Sequence, residues 1–125
     1  MKKRISIQSA KGKGRVLQQW VCAQISELTG FPWGKDQPIE SRGGSQSGVD
    51  VRLEKDVLKV FPFSIECKWQ ESWSIPGWIE QAKDNQKLNT YWLLVCRRSR
   101  ERAVVVMDAE HFFQILRGVN FEKDV

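Results

Sequence analysis

The segment Ser64-Ile65-Glu66-Cys67-Lys68-Trp69 holds the residues best suited to chemistry. In a strand, Glu66 and Lys68 project from one face roughly 6 to 7 Å apart, while Ile65, Cys67 and Trp69 point to the other. Upstream, Val49, Val51 and Leu53 alternate with Asp50, Arg52 and Glu54. That pattern predicts a strand in the same sheet, with Asp50 outward and able to come alongside Glu66. Two carboxylates, the Cys67 carbonyl and water make an all-oxygen site suited to Mg²⁺ or Mn²⁺. Such an ion polarises a phosphate and lowers the pKa of an attacking water. A lysine fixed on the same strand would hold that water or neutralise charge building in the transition state.

Several elements must position these groups. Residues 1–14, with "KKR" and "KGKG", read as a basic N-terminal arm. Leu17, Trp20, Val21, Ile25 and Leu28 predict an amphipathic helix from Arg15 to Leu28, ended by Thr29 and Gly30. A loop from Phe31 to Gly48 follows, interrupted by a short strand around Ile39 to Arg42. After Val49–Leu53 and a charged turn, the run Val57–Val60 reads as further strand, and Phe63–Trp69 shows a clear period of two.

A second helix, capped by Ser74 and starting near Pro76, is expected to end near Asn89. The unbroken apolar run "YWLLVC" reads as a strand covered on both faces, "RRSRER" as a basic turn, and "AVVVM" as another strand. Asp108 caps a last helix carrying Phe112, Phe113, Ile115 and Leu116, stopped by Gly118. The order is helix, three strands, helix, strand, strand, helix: an α/β fold with a central mixed sheet between helices. A βαβ crossover makes the strands around Glu66 and "YWLLVC" parallel.

Composition narrows the function. A chain of 125 residues, 41% hydrophobic, is long enough to bury one core, so a single domain spanning residues 1–125 is expected. The net charge is +5, which favours polyanionic partners and DNA first among them. Cys22, Cys67 and Cys96 are odd in number, far apart and in apolar stretches, as reduced buried thiols are. No apolar run approaches the roughly 18 residues of a membrane span and the N-terminus lacks a signal-peptide pattern, so a cytoplasmic protein is expected.

The motifs "KGRVLQQWV", "SGVDV", "FPFSIECKWQE", "EQA" and "VVVM", in this order, resemble the PD-(D/E)XK nuclease superfamily. More narrowly, they are similar to phage-encoded, Holliday-junction-resolvase-like endonucleases, over about residues 13 to 107. The resemblance implies a restriction-endonuclease-like core. It also implies Asp50 and Glu66 as metal ligands and Lys68 as a catalytic support. Gln81, in "EQA", stands where some relatives use a glutamine to steady the site. Many relatives carry a metal-linked acid on the first helix, where this chain has Gln18 and Gln19; Glu40 is the reserve ligand.

The Ser-Gly loop with Arg42, Ser45 and Ser47 precedes Asp50 and suits phosphate oxygens. Lys13 and Arg15, with Arg97, Arg98 and Arg100, give two further basic clusters for a DNA backbone. Among the tryptophans, Trp20 and Trp92 read as core, and Trp69, Trp73 and Trp78 pack around the end of the Glu66 strand. These features predict a Mg²⁺-dependent endonuclease for branched or structured DNA, in which a symmetric dimer would let two sites address two strands. The alternative is a non-catalytic nucleic-acid-binding module on the same fold. A nuclease for RNA or plain single strands is a third reading.

Overall fold

The computed structural model describes residues 7–42 and 48–119, with side chains from residue 12 onward in the first helix. Ser45 and Ser47 therefore lie outside the described residues, as does the start of the basic segment.

Helix α1 spans Ile7–Thr29. It begins well before the expected Arg15, so the second half of the supposed arm is helical. Once Leu17, Val21, Cys22 and Ile25 anchor the helix in the core, adding a residue costs little. Gly12 and Gly14 each cost only about 1 kcal/mol relative to alanine. Lys13 tethers the extension by donating from Nζ to Ser99 Oγ at 3.0 Å. At the other end Gly30 takes φ +82° and its N–H reaches Ser26 O at 2.8 Å, closing the helix as the sequence suggests.

Strands β1 (Ile39–Ser41) and β2 (Val51–Leu53) form an antiparallel pair in which Glu40 faces Arg52. The run expected to continue as strand instead forms helix α2, Lys55–Val60. Val57, Leu58 and Phe61 supply its packing face, and Val57 is fully buried. Leu58 N–H reaches Glu54 O at 3.0 Å and Phe61 N–H reaches Val57 O at 2.8 Å. Tertiary burial at helical spacing overrides the strand preference of β-branched residues here.

Strands β3 (Phe63–Trp69) and β4 (Tyr91–Arg97) are parallel, with Glu66 opposite Leu94 and Lys68 opposite Cys96. Strand β5 (Val104–Val106) runs antiparallel to β4, so the three-stranded sheet is mixed, in the order β3-β4-β5. Ile65, Cys67, Leu93 and Val95 face α1 and pack with Leu17, Val21 and Ile25. The opposite face carries Trp92, Leu94 and Cys96, covered by Trp78 and Ala82 of helix α3 (Ile75–Asp84). Glu66 and Lys68 belong to that second face.

Helix α3 stops at Asp84, earlier than the expected Asn89, and the Ser74 hydroxyl makes no capping bond. Helix α4 (Ala109–Arg117) starts as expected, with Asp108 Oδ1 accepting the His111 N–H at 3.1 Å. It buries none of its residues, leaving Phe112 and Phe113 exposed. Trp92 and Trp78 are core, but Trp20 is 48% exposed, at the rim of an apolar groove with Leu28, Phe61 and Val105. All three cysteines are free and buried, and burial pushes the Cys22 thiol up to about 12 and that of Cys96 to about 11. They are protonated, unreactive core residues at neutral pH.

Candidate active site

One edge of β3 pairs with β4, and the other meets the segment leading into β2. There Asp50 takes the place of a strand partner. Its N–H donates to Ile65 O at 2.9 Å, and its carboxylate Oδ2 accepts the Cys67 N–H at 2.7 Å. Asp50 thus lies just ahead of β2 rather than within it, locked to the backbone of the strand that carries Glu66 and Lys68. Within a strand, the N–H and C=O of one residue leave on the same side. The Cys67 carbonyl therefore points to the edge where Asp50 sits.

Glu66 is almost wholly buried, at 2% exposure, and its carboxyl and that of Asp50 act on one another electrostatically. Burial first, then the charge of Asp50, pushes the Glu66 carboxyl up to about 7. Burial also raises Asp50, opposed by the Cys67 N–H and by contact with Glu66 and Lys68. Asn85 Nδ2 donates to Glu66 Oε1 at 2.7 Å. The site therefore holds two carboxyl groups that act on one another, one amide donor and the nearby positive charge of Lys68. Two buried, interacting carboxyls share a proton near neutral pH unless a cation relieves them. Among the described residues no group of three or more acidic, histidine or cysteine side chains assembles for a metal.

The other expected site residues stand as follows. Gln18 is buried on α1, the helix covering the face opposite Glu66, and Gln19 is exposed. Glu40 is fully engaged elsewhere: Oε1 accepts Arg52 Nε at 3.1 Å and Oε2 the Asp36 N–H at 2.7 Å. The Asp36 N–H, then Arg52, hold its carboxyl below the ordinary range. Gln81 is exposed on α3, and its carbonyl accepts the Asn85 N–H. Asn85, one turn further along, is the amide that reaches the acids. Expecting the helix to run on to Asn89 concealed it in the helix interior.

A cationic cluster lies where β3 and β4 end. The Arg97 guanidinium sits 4.3 Å over the Trp69 ring, with Lys13 Nζ at 5.8 Å, and Arg98 sits 4.5 Å over Trp73. Glu71 Oε2 accepts the Ser99 N–H at 2.8 Å and holds the turn. Trp69 and Trp73 thus act as seats for cations, a role the sequence did not suggest. Arg15 is exposed on α1, Arg100 is exposed in the turn with φ +67°, and Arg42 adjoins Asp50 by donating its N–H to Asp50 O at 2.8 Å.

A three-stranded mixed sheet flanked by helices makes this an α/β protein compatible with a restriction-endonuclease-like core. The family described as "Phage putative PDDEXK endonuclease" matches residues 9–123, and the chain belongs to it. The match reaches beyond the motifs through α4. No curated protein and no solved structure matches the chain. No helix among the described residues is long and apolar enough to cross a membrane.

Proposed function

We propose that this chain is a Mg²⁺- or Mn²⁺-dependent endodeoxyribonuclease, with Asp50 and Glu66 as ion ligands and Lys68 as the catalytic cation. The observation that carries the reading is Asp50 held at 2.7 Å on the N–H of Cys67, the residue between Glu66 and Lys68 along the strand, with the three charges acting on one another. The donors fit a hard divalent ion: two carboxylates and a carbonyl offer oxygen only, and Mg²⁺ typically uses one or two carboxylates while keeping several waters. When bound, the ion polarises the scissile phosphate and makes its water a stronger nucleophile. Asp50 and Glu66 would hold the ion, the Cys67 carbonyl would offer a further oxygen, and Lys68 would neutralise charge developing on the phosphate.

Lys13, Arg97 and Arg98 bind backbone phosphates beside the pocket. Their aromatic seats support this reading, because a cation stacked on a ring is ordered yet keeps N–H groups to offer a phosphate. Arg42 adds a contact next to Asp50. Branched DNA is the proposed substrate, from the motif resemblance to resolvase-like enzymes, and phage or prophage origin with action inside the host cell is proposed in keeping with the family's description. Exposed Phe112 and Phe113 on α4 support a homodimer with two sites.

Incubating the protein with labelled duplex, single-stranded, flap and four-way DNA, with and without Mg²⁺, beside Glu66→Ala tests activity and substrate together. Cleavage of the branched substrates alone, dependent on ion and Glu66, is expected. One observation favours the second reading, a binding module without cleavage: the helix-one position of the usual acid holds Gln18, which adds no charge. DNA binding that is insensitive to chelation and to Glu66→Ala, with no cutting, would decide for it.

A further inference from the structure

The connection from α3 to β4 is fastened to β3 on the face that carries Glu66. Ser64, 3% exposed, accepts the Lys87 N–H at 2.9 Å and bonds the Thr90 hydroxyl at 2.7 Å. Thr90 Oγ1 in turn donates to Lys87 O at 2.6 Å. At the other end of the segment, the Asn85 N–H closes the helix onto Gln81 O at 3.1 Å. Asn85 is therefore held from both sides, by the last turn of α3 and by the hydroxyl pair one strand pleat before Glu66. Its Nδ2 meets Glu66 Oε1 at 2.7 Å.

A carboxylate turns about its last bond, so a donor fixed on one oxygen decides where the other points. Groups that orient an ion's ligands in this way typically change metal affinity by about 10–100-fold when removed. An amide suits the task in a crowded acidic pocket, because it donates to the carboxylate without adding a third negative charge.

We infer that Asn85 is a positioning residue, holding Glu66 Oε1 so that Oε2 turns toward Asp50 and the two carboxylates present one oxygen each to a shared divalent ion. The inference rests on the ion-binding reading above. It assigns to the end of α3 the role that the motif "EQA" suggested for Gln81.

The test is calorimetric titration of the purified protein with Mn²⁺ in the absence of DNA, for wild type, Asn85→Ala and Asn85→Gln, with Tm measured metal-free for each. Asn85→Ala is expected to bind Mn²⁺ roughly 10-fold or more weakly, and Asn85→Gln, which keeps a donor on a longer arm, to recover part of that loss. If Asn85→Ala lowers Tm too far to titrate, Asn85→Gln carries the test by falling between wild type and Glu66→Ala in affinity. Wild-type affinity in both Asn85 variants, with or without a lower Tm, overturns the positioning role while leaving the nuclease reading intact. Absence of Mn²⁺ binding by wild type overturns that reading and the inference with it.

Discussion

The Asp50 carboxylate accepts the Cys67 backbone N–H at 2.7 Å. An acid therefore completes the free edge of the strand whose next side chains are Glu66 and Lys68. Its position is set by backbone rather than by a flexible loop, which is how a proposed ion ligand becomes rigid before any ion arrives.

Asp50→Ala should separate the two duties of this side chain. It leaves the Cys67 N–H without its acceptor, which costs about 1–3 kcal/mol of stability, and it removes a proposed ligand. Asp50→Asn retains an acceptor oxygen, so denaturant unfolding should find it close to wild type. Cleavage should be lost in both. Equal destabilisation by the two variants would show that the bond to Cys67 is not what holds the segment.

Glu66→Gln should raise the stability of the metal-free protein while removing activity. The neutral amide removes a buried charge and relieves its repulsion with Asp50, the two causes that push the Glu66 carboxyl up to about 7. Thermal melting in chelator should give a higher Tm, and cleavage should fall at least about a hundredfold. A lower Tm in chelator would mean that the two carboxyls are not in conflict.

The pH dependence follows from the same pair. The Glu66 carboxyl lies at about 7 in the fold against an ordinary 4.5, and Asp50 is raised as well. The folded state then binds more protons than the unfolded chain between these values, so this pair makes metal-free stability fall as pH rises from about 4.5 to about 7. Above that window its destabilisation is complete. Ion binding must displace the proton, so Mn²⁺ affinity should rise with pH through about 7. Urea unfolding and calorimetry across pH 5–8 check both trends, and Glu66→Gln should flatten them; an affinity independent of pH would contradict the shared proton.

If Lys13, Arg97 and Arg98 carry the proposed phosphate contacts, DNA affinity should fall as salt is added. Replacing any one by alanine should lower affinity for all sequences alike and reduce the slope of log affinity against log salt by about 1. Trp73→Ala, which removes the seat of Arg98, should imitate Arg98→Ala in part. An unchanged slope in all three lysine and arginine variants would remove this cluster from the DNA path.

The parts of this fold legible in the sequence are those where one physical requirement dominates. Phe63–Trp69 alternates because its two faces differ, and "YWLLVC" is unbroken because α1 and α3 cover both sides of β4. Those two patterns already put Glu66 and Lys68 on one face. Residues 57–60 misled because β-branched side chains favour strands locally, and only the burial of Val57 against distant elements makes them helical. Trp20 misled because helical spacing places it near the apolar stripe but cannot tell that it stands half exposed at the rim of a groove rather than inside the core. Asn85 was invisible for a related reason: the residues just beyond α3 are fastened to β3 by Ser64 and Thr90, a pair distant in sequence that local patterning does not join.

The central claim is that Asp50, Glu66 and Lys68 form one ion-dependent cutting centre. It is tested most directly by quantifying cleavage of a labelled four-way DNA substrate by wild type and Glu66→Gln, in Mg²⁺ and in chelator, with binding of the same substrate measured in parallel. The account predicts cutting by wild type in Mg²⁺ alone, with Glu66→Gln binding the DNA and leaving it whole. Equal cutting by the two proteins, or cutting that persists in chelator, would contradict it.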